Sequence, residues 1–592
     1  MPTELERALA DHAAEGRELD LAGEEAVNEA AMRAWGADRT VSAASIRAIV
    51  CAGSASGSSD DGPPAALKLR GARVTGRIDL DHVHSPMPLE LVDCLLAEGI
   101  SALDAELPAL LLGDCVVEHR QEIPLKAPLL RVRFLGLSRT QVRGRCDGPA
   151  AALWGSEIGH LVCSGATFVN LHGCALDMNQ ARIEHSALMN ERFKAAGRGR
   201  DGWPGAVNLS GVSVGGLLDF SGATLESTDG TALQALSLHT GLPLVLGRGF
   251  KAGVEGSDAC AVLLSGATIE ELVCEGVELT SSGGPALMAD HLTVRGSVVF
   301  TDSVLDAASE RFGALWLGGA EAGGELRCHG TRMENKSGAA LAAPFMKARL
   351  NVALGDELDL RGGGDAAALN LRGAHVDGSL IIGDHVALAH RRGPRHRLDV
   401  NGLTYTDLEG RGRHDWLTYL YDGTATYAAQ PYRQLAGLCH QRGHDKEARS
   451  VLVAQQKDRL RRDHVGLAER AWGGLTGMVL GYGYKPWRAI FYLLGVVALA
   501  VTLAVVLGAH GGVAREADTA GAHHGPCSVV ETVSIGLQLA LPLARSAGPQ
   551  DCTVASGAAG QALTASGWVL QALSWAFATL FVAGFTGAVR RT

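Results

Sequence analysis

Near the C-terminal end of the chain, two cysteines flank the single acidic residue of an apolar segment. Cys527 and Cys552 lie on either side of Val529 to Leu543, which is apolar except for Glu531, Thr532, Ser534 and Gln538. A helix here would put Glu531, Ser534 and Gln538 on one face. The segment is expected to be an interfacial or re-entrant helix, with Glu531 as a polar group at the membrane. In an oxidising compartment the two thiols would pair as a disulfide; two free thiols are the alternative, because spacing fixes no geometry.

Other chemistry-bearing residues are scattered. The nearest approach to a dinucleotide loop is Leu244-Val245-Leu246-Gly247-Arg248-Gly249-Phe250-Lys251-Ala252-Gly253. Its third glycine falls one place late, and Val254-Glu255-Gly256-Ser257 does not open a helix whose N-terminus could face a pyrophosphate. It reads as a turn between strands. His440 and His444 have i, i+4 spacing, but Gly443 divides them and leaves two turn histidines. His523-His524 could hold a metal only weakly, with no third ligand in view. Cys163, Cys274 and Cys328 occupy similar places in repeating units and read as buried packing groups. No P-loop, GxSxG or HExxH occurs. No catalytic, cofactor-binding or metal residue is assigned, and no cofactor is expected.

The elements that carry these groups are easier to read. Ala489 to Ala509 has no charged side chain, and neither does Trp568 to Val589. At 1.5 Å per residue, about 20 residues match a hydrocarbon core of roughly 30 Å. Trp487, Tyr492, Trp568 and Trp575 suit the aromatic belt at the membrane surface. A buried helical hairpin in a soluble domain is the alternative. Lys457, Arg459, Arg461, Arg462, Arg470, Lys485 and Arg488 precede the first stretch, and Arg590 and Arg591 follow the second. The loop between them sets Arg515 and Arg545 against Glu516, Asp518, Glu531 and Asp551. The positive-inside bias then puts both termini in the cytoplasm and the loop, 510–567, outside a cell (inner or plasma) membrane. The bilayer is the first expected partner, with the Lys457–Arg462 run near anionic headgroups. Met1 to Arg7 lacks the apolar run of a secretory signal, and the other ten cysteines contain no CxxC pair, which suits a reducing compartment.

The middle of the chain repeats. Leu69-Arg-Gly71-Ala-Arg-Val74-Thr-Gly76-Arg-Ile78 is echoed by Leu209-Ser-Gly211-Val-Ser-Val214-Gly-Gly216-Leu-Leu218 and by Leu371-Arg-Gly373-Ala-His-Val376-Asp-Gly378-Ser-Leu380. Looser copies begin at Leu264 and Leu317, with a degenerate one around Trp154-Gly155. The leading glycines at 211, 266, 319 and 373 are 55, 53 and 54 residues apart, the mark of a repeat architecture. Apolar residues alternate with polar or small ones inside each unit, as in half-buried strands. A weaker copy at Ala286 to Val298 divides the unit into two coils of about 27 residues, within the range of solenoid repeats. A β-sandwich would not need so regular a period.

The expected fold is mainly β: a solenoid over 61–400 behind a helical cap over 1–60. A helical hairpin and basic juxtamembrane helix follow over 401–470, then a two-span membrane segment over 471–592. Pro431, Gly443 and Asp445 mark the hairpin, which resembles a single tetratricopeptide-type pair.

Ala368-Leu369-Asn370-Leu371-Arg372-Gly373-Ala374 resembles a relaxed form of the pentapeptide-repeat family, which implies a right-handed β-helix. Five-residue spacing holds only in patches. With the stretch Tyr482-Gly483-Tyr484-Lys485-Pro486-Trp487-Arg488, nearly the whole chain resembles a bacterial group of membrane-anchored repeat proteins. That group is commonly labelled membrane-associated oxidoreductase; the label implies redox activity but no residue that can be matched in this chain.

Composition narrows the function. The 76 glycines show no Gly-X-Y period, which excludes collagen, and aromatics at 5% imply an aliphatic core. A formal charge of -11 argues against nucleic acid as a partner. Solenoids offer long surfaces, so a membrane-tethered binding or scaffold protein with a cytoplasmic protein partner is the expected function. An oxidoreductase, by resemblance, is one alternative. A homo-oligomeric pore is the other: the order span, apolar loop helix, span fits it, with Glu531 lining a pathway, although Gly481-Tyr482-Gly483-Tyr484 precedes the spans instead of lying between them.

Overall fold

The computed structural model describes residues 3–53, 65–200, 203–410, 413–462, 466–482, 487–515, 526–541 and 552–589. The readings that fall on His523-His524, Lys485, Arg545, Arg590, Arg591, Glu516, Asp518 and Asp551 lie outside the described residues. Contacts divide the chain into two compact units, Met1–Gln434 and Leu435–Thr592.

The first unit is a parallel β-solenoid. Short strands stack coil on coil into three sheets of 22, 14 and 13 strands. Alternation drives it: in Leu272–Glu275 and Leu326–His329 every second side chain is buried and the others face outward. Phe168, Phe193, Phe220 and Phe250 form a row inside, with successive ring centroids 5.6, 6.4 and 6.0 Å apart. Each of these rings is fully buried, so removing one would cost about 3–5 kcal/mol.

The two-coil period has a steric cause at one corner. Gly155, Gln180, Gly211, Ser237, Gly266, His291, Gly319, Phe345, Gly373 and Gly402 all take positive φ there. From Gly155 to Gly373 each donates its N–H to the coil that follows, as in Gly319 N to the Pro344 carbonyl and Phe345 N to the Arg372 carbonyl, both at 2.8 Å. Glycine and larger residues alternate along this row from Gly155 to Gly373, where Gly402 breaks the alternation. A Cβ on Gly373 would come within 2.6 Å of the Phe345 ring, and one on Gly319 within 2.8 Å of the His291 ring. A side chain at one corner thus lies over the glycine of the next, and glycine recurs every second coil. From Gly266 through His291, Gly319 and Phe345 to Gly373 the steps are 25, 28, 26 and 28 residues. None of the last three is a multiple of five, so five-residue spacing does not set the coil.

The copy beginning at Leu69 proves to be out of phase. Leu67–Arg70 belongs to the 22-stranded sheet and Gly71 turns towards Arg73–Thr75 in the 14-stranded one. Gly211 instead follows Val207–Asn208 of the 13-stranded sheet. Two different corners both demand a left-handed residue after an apolar strand, which gives them similar local sequences.

A third corner is pinned by inward polar groups. Asn335 Nδ2 donates to the carbonyls of Ser309, Phe312 and Ala339 at 3.0, 2.9 and 3.0 Å, and Asn170 Nδ2 makes three such bonds in an earlier coil. His390 Nε2 reaches Gly363 and Ala366 carbonyls in a later one. These side chains bind turn carbonyls, of which Ala339 and Cys174 also accept a main-chain N–H from the preceding coil.

Both ends of the solenoid are covered. At the start lie α1 (Glu4–Ala14), α2 (Glu29–Ala34) and α3 (Ala43–Ala52). Between them two strands that were not foreseen, Glu18–Asp20 and Thr40–Ser42, pair in parallel with Lys68–Arg70 and Arg73–Thr75. Three residues carry too little periodicity to be read as strands. Glu6 closes a capping box with Thr3 and accepts from Ser42 Oγ at 2.6 Å. Glu29 takes both guanidinium nitrogens of Arg143 at 2.7 Å. At the far end α4 (Arg413–Gly423) and α5 (Ala429–Gln441) follow the last strand, Thr404–Gly410.

The second unit begins within α5. It continues through α6 (Asp445–Arg462), α7 (Leu467–Leu480), α8 (Trp487–Leu507), α9 (Val529–Ala540) and α10 (Ala558–Val589). Segments Trp487–Gly512 and Ala558–Ala583 are helical, long and apolar enough to cross a membrane. α10 starts ten residues before the expected Trp568, because Gly560, Thr564, Ser566 and Gly567 disguise its first turns as loop. The two long helices are antiparallel: Val496 and Ala500 pack with Leu570, and the rings of Tyr492 and Phe577 stack at 5.7 Å.

Candidate functional site

The segment between α8 and α10 gathers the groups singled out at the start. α8 unwinds at His510 and Gly511, and Val513–Arg515 then pairs antiparallel with Cys552–Val554. Cys527 is bonded to Cys552, with Cα atoms 6.3 Å apart. Ser528 begins α9 with a capping box: its N–H donates to Glu531 Oε2 at 2.7 Å, and the Glu531 N–H donates to Ser528 Oγ at 3.3 Å. Arg515 Nη2 donates to the other carboxylate oxygen at 3.2 Å. Hydrogen bonds from Ser528, then Arg515, hold this carboxyl below the usual range. Cys527, Glu531 and Cys552 lie within 4.8 Å of one another, a grouping with metal-ligand character. With both sulfurs committed to one bond, its chemistry here is that of a covalent clasp.

α9 runs back along α8. A Cβ on Gly508 would meet Thr532, one on Gly536 would meet the Val501 backbone at 2.8 Å, and Ala540 packs with Val496 and Ala500. Thr532, Ile535, Gly536 and Ala540 are buried, whereas Glu531, Ser534 and Gln538 are half-exposed on the opposite side. The helix therefore runs from the C-terminal end of α8 to its middle. Glu531 sits at its start, where it caps the helix instead of lining the middle.

The other candidates are dispersed. Leu244–Gly247 and Lys251–Glu255 are strands of two different sheets, so the glycine-rich segment is a solenoid turn. His440 bonds Asp445 at 2.8 Å and His444 lies 3.6 Å from Glu447, each in its own contact. Cys274 and Cys328 share one inward row with Phe300 between them. Cys163, Cys274 and Cys328 are all buried, and burial pushes the thiols of Cys163 and Cys328 up to about 12, so they are poor nucleophiles.

Sequence reading foresaw long outer surfaces but not the groove that crosses one of them. On the 14-stranded sheet an open groove of about 500 Å³ crosses several coils past Leu171, Ala196, Arg198, Glu226 and Glu255. Leu171 is 63% exposed beside it. Small outward residues, Ala196 and Gly253, make this depression, a signal the sequence carries only once the coils are in register.

No family model, curated protein or solved structure matches the chain. What the fold defines is a parallel β-solenoid whose chain continues into two helices of membrane-spanning length and composition.

Proposed function

We propose that the protein is a membrane-tethered scaffold: α8 and α10 anchor it, both termini lie in the cytoplasm, and the solenoid presents its faces to a cytoplasmic protein. The observation that supports this is the solenoid surface itself. Long in-register sheets surround a filled core and carry an open groove past the exposed Leu171. The test is proximity labelling in living cells from full-length protein and from its Leu171→Arg variant. A defined set of neighbours that the variant loses supports the reading. Identical neighbours with and without the substitution, or a chromophore and nicotinamide turnover in purified protein, would count for the oxidoreductase alternative or against any use of this groove.

A second reading, a subunit of an oligomeric pore, draws on α9, which packs inward along α8 between the two long helices. It requires ion flux in liposomes and a stable oligomer; a strict monomer in detergent removes it.

A further inference from the structure

α7 touches the two long helices at its C-terminal end, through Val479. Trp472, Leu475 and Met478 recur at i, i+3 and i+6 and form one stripe along it. They are 60, 47 and 64% exposed, unusual for three large apolar side chains on one helix face. The other side of α7 is covered by α6: a Cβ on Gly473 would come within 2.7 Å of Leu460, and Arg459 donates to Glu469 at 3.0 Å.

The direction of the stripe is fixed by its last neighbour. Val479, on the same face, is buried against Ala489 at the start of α8 and against Phe577, Leu580 and Phe581 of α10. Thus the side of α7 that carries Trp472, Leu475 and Met478 turns towards the first turn of α8 and the Phe577–Phe581 stretch of α10, near the end of the apolar segment Ala558–Ala583. Gly481, with φ +54, closes α7 and donates back to the Thr476 carbonyl. Trp487 and Phe491, 54 and 63% exposed, continue the apolar surface onto the first turns of α8.

We propose that α7 is an interfacial helix, seated in the headgroup region of the bilayer with Trp472, Leu475 and Met478 among the upper acyl carbons. The occupant of this surface is lipid. Its continuity with the outer surface of α8 and α10 selects lipid over a protein partner, and Arg470 and Arg488 at the two ends suit phosphate headgroups. α7 then bears on the membrane plane from one side and on α6 from the other. The inference rests on α8 being a membrane span.

The test uses the full chain in its native membrane, with the photo-crosslinker p-benzoylphenylalanine placed in turn at Met478, at Leu499 of α8 and at Phe345 of the solenoid. Lipid adducts found by mass spectrometry at Met478 and Leu499, and lost at Phe345, are the expected result. Adducts at Leu499 with none at Met478 overturn the interfacial helix while leaving the span intact. Protein adducts alone at Met478 also overturn it and assign the stripe to a partner chain. Absence of lipid at both Met478 and Leu499 removes the span and this inference together.

Discussion

The side-chain amide of Gln430 donates to the main-chain carbonyl of Leu403 at 2.7 Å, and Gln434, one helical turn on, donates to Tyr405 at 2.6 Å. The Gln430 carbonyl oxygen also accepts from Gly402 N at 3.0 Å. Thr404–Gly410, the outermost strand of its sheet, pairs with His375–Ile382 on one side. On the other side α5 supplies the bonds that a further coil would have made. An open parallel edge would invite another chain to add to it.

Gln430→Ala with Gln434→Ala should cost about 1 kcal/mol for each lost bond and expose this edge. Analytical ultracentrifugation should then show concentration-dependent association of the variant, and hydrogen exchange should show faster exchange at 398–410 than in the parent. Unchanged sedimentation and exchange would mean that the edge is protected by something other than the two amides.

The Phe345–Gly373 contact makes a sharper prediction. Gly373→Ala places a Cβ at φ +66 and beneath a ring, which should destabilise the coil by about 1–2 kcal/mol from the backbone alone. Adding Phe345→Ala should recover the steric part, so a double-mutant cycle should show coupling beyond 0.5 kcal/mol or so. Additive effects would deny the contact its role in the period.

Acid should loosen the N-terminal cap first. Hydrogen bonds from Ser42 and Thr3 hold the Glu6 carboxyl at about 2, below its ordinary 4.5, and Arg143, then Arg33, does the same for Glu29. A depressed folded value means stability that is complete above about pH 4.5 and lost as the pH falls towards 2. Exchange protection over 3–52 should decline through that window before protection in the central coils, and Glu6→Gln should flatten the decline.

The bond between Cys527 and Cys552 predicts a thiol count. Alkylation of unfolded protein without reductant should leave two cysteines unmodified, and Cys527→Ser should expose Cys552 to the reagent. Closing a loop of 25 residues should contribute about 3 kcal/mol to the folded segment, read as a fall in unfolding midpoint on reduction. Full alkylation without reductant would show that the thiols are free.

How much of this could be read from the residues depends on the range over which each signal acts. Alternating apolar residues and recurrent glycines are local and repeated, so strands, coils and the two-coil period were legible. The two uncharged helices were equally plain, because length and polarity alone define them. What escaped was set by neighbours distant in sequence. The strand at Thr40–Ser42 exists because Arg73–Thr75 offers it an edge, and the groove at Leu171 appears only when Ala196 and Gly253 fall into register. The position of Glu531 at a helix start depended on Ser528 and Arg515 together, so its helix was foreseen and its capping role was not.

From Gly155 to Gly373, alternating bulky and hydrogen-only corners also favour insertion or loss of whole two-coil units. A duplication or loss of a whole two-coil unit keeps every ring above a vacancy, as Phe345 sits above Gly373. A change by one coil would bring ring against ring or leave two vacancies facing each other. Within that stretch a length change of about 54 residues preserves the stacking, whereas like already stands on like at its two ends, with Gly402 against Gly373 and the run His82, Asp104 and Leu129 before Gly155.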